Sequence, residues 1–168
     1  MADKPEVWLR GTVDGFDPIL MPVVHALLQA REDVEHLAAT VPPEHVWRTP
    51  GGAASIGFHV RHLGGSLDRL FTYARGETLS DDQKRAMRIE GVPGEPPASL
   101  ADVVRDVSAI VDRALEQLRP LRVDDLLVSR SVGRAALPST TLGLLFHAAE
   151  HCTRHAGQAI TTARVLMT

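Results

Sequence analysis

Cysteine is nearly absent from this chain. Cys152 is the only one in 168 residues, so no intrachain disulfide can form. Aromatic residues are scarce at 4%. The core must therefore be built from Leu, Val, Ile and Ala, which favours packed helices over an aromatic-rich sandwich. No run approaches the ~18 apolar residues of a membrane-spanning helix. The opening MADKPEVWLRG carries no apolar signal core, which points to a cytoplasmic protein without a membrane partner. Excess positive charge is also missing: the net charge is −3 with histidines neutral, so nothing points to a broad basic surface for nucleic acid, although net charge says nothing of a small patch. No repeat, low-complexity tract or domain boundary is visible, and residues 1–168 read as a single domain. A chain of this length buries roughly 70% of its unfolded surface, so folding needs no disulfide or structural metal.

What is present is helical periodicity. Residues 1–15 show none and read as an arm or short turn. From Asp17 to Thr40, apolar residues recur at Val24, Leu27, Leu28, Val34, Leu37 and Ala38. VPPEHVWRTPGGAA then breaks the pattern with three prolines and two glycines, a loop in which Trp47 is the natural anchor. Ser55 is a good N-cap for a second helix ending near Gly76. The long polar stretch that follows has room for a short helix around Asp81–Ile89. Ser99, with Asp102 three residues on, starts a third long helix whose stripe runs Leu100, Val103, Val107, Ile110, Val111, Ala114, Leu118. Pro120 closes it. An irregular segment follows, with an extended pair expected around Leu127–Ala135, before a fourth helix opens at Ser139–Thr141. The expected fold is all-α: a four-helix bundle with a long crossover connection between the second and third long helices.

Five of the eight histidines fall on two of these helices. FHAAEHCTRHAGQ places His147, His151 and His155 four residues apart, one above another on one face. His147 and His155 are about 12 Å apart along the axis, too far for one ion to take both. The second helix offers His59 and His62 in FHVRHLGGS. Two imidazoles from one helix and one from a facing helix would suit a divalent ion with open positions. Taken singly, His25, His36 and His45 read as satisfied packing residues, and an HxxxH pair also arises on solvated faces.

The second-helix SIGFHVRHLGGSLDRL and the fourth-helix HxxxH followed by Ala156, Gly157 and Gln158 resemble the DinB-like superfamily, which includes thiol-dependent S-transferases and YfiT-type metal hydrolases. The resemblance runs from about Pro22 to Leu166. It implies a four-helix bundle whose divalent metal, zinc or nickel, is held by three histidines. Carried onto this chain, those ligands are His62, His151 and His155. His62, followed by Leu63 as in the family pattern, is preferred to His59. The family's H-R-G-Q ending reads H-A-G-Q here, which removes one cation. The resemblance also implies a small-molecule substrate, a low-molecular-weight thiol as co-substrate, and a homodimer. Its enzyme readings are thiol transfer and hydrolysis; the alternative is a non-catalytic metal-binding or stress-associated structural protein.

Neighbouring residues supply candidate roles. His59 could contact substrate or support a ligand. Gln158 could hydrogen-bond a ligand imidazole or pack between helices. Glu150 could orient a histidine or act as base, against the simpler reading of a solvated carboxylate. Cys152 lies about 100° from His151 around the helix and reads as a buried structural thiol. Asp68 and Arg69 read as surface or interhelix polar contacts. Gly64 and Gly65 read as sites of close helix approach.

Overall fold

The computed structural model describes residues 4–168. Four long helices dominate: α1 (Met21–Thr40), α2 (Ile56–Ala74), α4 (Leu100–Leu118) and α6 (Thr141–Leu166). Short α3 (Asp81–Arg88) lies in the long connection, and α5 (Val123–Leu126) precedes a hairpin of β1 (Ser129–Val132) and β2 (Leu137–Thr140). The expected arm contains a short 3-10 turn, Val7–Arg10. None of the described helices is long and apolar enough to cross a membrane.

Serine and threonine caps set the helix starts. Ser55 Oγ accepts the Phe58 N–H, Ser99 Oγ the Asp102 N–H and Thr140 Oγ1 the Gly143 N–H. The Asp102 carboxylate bonds back to the Ser99 hydroxyl rather than its backbone N–H, so the expected capping box closes differently. The hairpin is shifted from its expected span because the turn falls at Gly133–Ala136, where both end residues have positive φ. Its register pairs Ser129 with Thr140 and Val132 with Leu137.

Side-chain contacts fix the helix directions. Arg31 meets Asp112 (2.7 Å) and Ser108 meets Glu35 (3.3 Å), so α1 and α4 are antiparallel. Trp47 lies against Gly57 at the start of α2 and donates its Nε1–H to Ala98 O (2.8 Å) just before α4. At the far end Arg75 bonds Gln117. α2 and α4 therefore run parallel, and residues 75–99 must return along the bundle, which is the expected crossover. His59 meeting His155 at one end, and Phe71 and Thr141 lining one cavity at the other, make α6 antiparallel to α2. α1 and α2 occupy opposite corners, each packed on α4 and α6.

The core runs through all four corners, with Leu27 and Val34 from α1, Val60 and Leu67 from α2, and Val107 and Val111 from α4. From α6 it takes mostly small groups: Ala148, Ala149, Cys152, Ala156, Ala159 and Ala163. Small side chains on the packed face let α6 lie close to α2, since interaxial distance follows side-chain size. Gly64 does the same on the α4 side, where a Cβ would stand 2.8 Å from Val107 Cγ2. α2 is thus held tightly between α4 and α6, and its histidines reach the α6 histidines directly.

Candidate metal centre

α2 contributes His59 and His62, one turn apart; α6 contributes His151 and His155. The structure gathers His62, His151 and His155, each offering one ring nitrogen, with the three nitrogens within 4.8 Å of one another. His62 Nε2 and His151 Nε2 are 3.0 Å apart. The His155 ring centroid lies 4.5 Å from both His62 and His151. Two nitrogens bound tetrahedrally to one zinc ion at 2.0–2.1 Å would stand roughly 3.4 Å apart, close to the 3.0 Å between the His62 and His151 nitrogens. The donor set fits a divalent metal that accepts imidazole.

Each histidine has a different outer environment. His62 Nδ1 lies 2.6 Å from Glu90 Oε2. Glu90 stands at the end of the α3 segment, is only 5% exposed, and takes a second bond from Arg69 Nη1 at 2.6 Å. His155 Nδ1 faces His59 Nδ1 at 3.1 Å, which leaves Nε2 of His155 for an ion. His151 Nδ1 is buried without a hydrogen-bond partner among the described residues. Phe58 stacks on His62 at a centroid distance of 5.3 Å and closes one side of the cluster.

Burial, with the repulsion of neighbouring imidazoles, disfavours the charged forms of His59, His151 and His155. His155 is pushed down from 6.5 to about 4 by burial, then by His62, His151 and His59. His151 and His59 are lowered for the same reason, burial first. Neutral imidazole is the form that binds metal. It also makes the metal-free protein acid-sensitive. Between about 6.5 and 4, an unfolded His155 takes up a proton that the folded one refuses. The unfolded state then binds more protons, so stability falls as pH drops through that window. Melting temperatures of chelator-treated protein should fall accordingly, and more steeply than those of His155→Gln. Equal slopes for the two would contradict the assignment.

His147 is exposed and sits one turn outside the trio, with its Nδ1 3.0 Å from Glu150 Oε1. His147, Glu150 and His151 form a second compact grouping. There, however, the Glu150 carboxylate is already held by Arg154 through two bonds of 2.6 and 2.7 Å. A guanidinium on the carboxylate disfavours a cation in that grouping. Glu150 therefore faces His147 and Arg154, and the carboxylate on a trio histidine is Glu90. Gln158 is exposed and contributes no side-chain hydrogen bond to the cluster. Cys152 is fully buried against Leu63 O, and burial pushes its thiol up to about 12. Arg69 is more than an interhelix contact: it is the buried partner of Glu90.

Glu90 has no signature in the sequence. It lies in EGVPGEPP, among turn residues and another acid, 28 positions from His62. The one available hint was Gly65, one turn before Arg69. A Cβ there would overlap Glu90 Oε1 and come within 2.9 Å of Arg69 Nη1.

No curated protein gives a significant match to the chain. The DinB superfamily profile matches residues 26–159, a span that contains α2, α4, Glu90 and all three histidines of the cluster. With most of its length matched, and with a helical bundle whose clustered histidines fit a divalent metal, this chain belongs to the DinB superfamily.

Proposed function

We propose that His62, His151 and His155 bind one divalent ion, zinc or nickel, and that this centre serves a metal-dependent reaction on a small molecule: transfer of a low-molecular-weight thiol, or hydrolysis. The observation that carries this reading is the convergence of three imidazole nitrogens, with no fourth donor grouped with them among the described residues. Three protein ligands leave positions open for an outside molecule, as catalytic rather than structural sites do. The His62 side chain is 22% exposed, so that molecule can approach from solvent. A divalent ion in such a site polarises a carbonyl or lowers the pKa of a thiol or water that binds it.

The chain's own groups narrow the choice. Its sole thiol, Cys152, is buried and held protonated. Any sulfur nucleophile must therefore come as a free small thiol. His59 is 7% exposed and lies behind His155, so it supports that ligand rather than meeting substrate.

The test uses the cobalt(II)-loaded protein. Small thiols added in turn should change its visible spectrum and introduce a sulfur-to-cobalt charge-transfer band. A spectrum indifferent to every thiol, and also to azide or cyanate as replacements for a metal-bound water, would mark a closed structural site and remove the catalytic reading.

A further inference from the structure

We infer that Glu90 is a positioning residue for the metal centre, fixing the His62 tautomer from the crossover segment, so that metal occupancy and the seating of residues 89–92 are linked. This rests on the reading that the trio takes an ion.

An ionised carboxylate only accepts hydrogen bonds. Glu90 Oε1 is occupied by Arg69, whose guanidinium keeps the buried group charged, and Oε2 faces His62 Nδ1. The proton on His62 must then sit on Nδ1. A neutral imidazole with its proton there has its lone pair on Nε2, the atom turned towards His151 Nε2. Glu90 thus selects the tautomer, aims the ring and raises the basicity of the ligating nitrogen. Outer carboxylates of this kind carry roughly 10–100-fold in metal affinity.

What sets this carboxylate apart is its origin. It comes neither from α2 nor from α6, but from the connection that returns along the bundle. That connection is pinned by few contacts. Gln83 Nε2 bonds Asp68 Oδ2 (2.7 Å) and Thr72 Oγ1 (2.8 Å) on α2. Arg61 Nη1 donates to the carbonyls of Ile89, Glu90 and Val92 at 3.2, 3.4 and 2.6 Å, with its guanidinium carbon 4.5 Å from the centroid of a Trp47 ring. The side chains of Ile89 and Val92 are exposed and add little burial. The Glu90–His62 contact is therefore one of the few that seat residues 89–92, beside the bond from Arg69 to Glu90 and those from Arg61. Whatever the metal gains from Glu90, the segment must gain from the metal, because the coupling is reciprocal.

The test compares wild type with Glu90→Ala and the nearly isosteric Glu90→Gln, after circular dichroism confirms that each is folded. Three readings are taken: the His62 tautomer by nitrogen-15 NMR of metal-free protein, zinc affinity by chelator competition, and amide exchange at residues 89–92 with and without zinc. Wild type should carry the proton on Nδ1, and zinc should slow exchange at 89–92. Glu90→Ala should lose the tautomer bias, bind zinc 10–100-fold more weakly and show no zinc effect on exchange. Glu90→Gln should fall between, because its amide oxygen still accepts from His62 but carries no charge. If wild type binds zinc and Glu90→Ala binds it within twofold, or keeps the tautomer, the positioning role is wrong while the metal site stands. A wild type that takes up no zinc overturns the metal site and this role together.

Discussion

Changing His151 to alanine is expected to remove most bound metal and leave the bundle folded. His151 meets both other members of the trio: its Nε2 is 3.0 Å from that of His62, and its ring centroid is 4.5 Å from that of His155. Without it two imidazoles remain, one on each helix. The loss in affinity should exceed the roughly 10–100-fold that an outer partner carries, since a direct ligand is gone. Folding does not depend on the ion, because the core beneath the site is a continuous set of Leu, Val and Ala side chains. In the metal-free protein the change should even relieve His155, whose protonation His151 opposes. Elemental analysis of protein purified without a polyhistidine tag is the measurement, with far-ultraviolet circular dichroism as the check on fold. Stoichiometric metal in His151→Ala would sink the site. Because His151 belongs to both compact groupings, two further variants separate them. His155→Ala should lose metal and His147→Ala should keep it; the reverse pattern would move the ion to the grouping with Glu150.

The four long helices are legible in the sequence because their apolar stripes follow a single period and their serine and threonine caps have a local cause. The trio is legible because i, i+4 spacing on one helix is itself a geometric statement, and His62 is the second-helix residue that the family pattern singles out. The crossover follows from length: the polar stretch after Gly76 is long enough to return along the bundle. The partners of the trio are a different matter. Glu90 acquires its role only when the crossover lays it beside Arg69 and His62, and nothing periodic marks that meeting. Gly64 and Gly65 look alike in sequence but serve different neighbours. Gly64 admits Val107 of α4, as a close helix approach would require, whereas Gly65 makes room for the Glu90 carboxylate and the Arg69 guanidinium. Short α5 and the exact hairpin register escape the sequence for the usual reason: four-residue elements are set by the packing around them more than by their own propensities.

Arg69→Met should be among the more destabilising single changes in α2, by roughly 2–3 kcal/mol near neutral pH. Arg69 and Glu90 are 8% and 5% exposed and 2.6 Å apart. Methionine fills much of the same length but leaves the carboxylate with His62 alone. Removing one member of a fully buried pair costs more than this; the remaining imidazole moderates the loss. The pH dependence gives the sign. Burial raises the Glu90 carboxyl, but the bonds from His62 and Arg69 outweigh it and hold the carboxyl below its ordinary value of 4.5. The pair's contribution is therefore present above that value and lost as pH falls through the depressed one. The gap between wild type and Arg69→Met, read from urea midpoints, should narrow on acidification. The double variant Arg69→Met/Glu90→Met should recover much of the stability, because an apolar pair avoids burying charge. It should not recover metal affinity, because His62 Nδ1 would face a thioether instead of a carboxylate. A single variant as stable as wild type would deny the pair its buried charge. A double variant that regained both stability and affinity would deny that the charge serves the metal. The expected split, stability regained and affinity lost, is the signature of a buried ion pair kept for its ligand rather than for the fold.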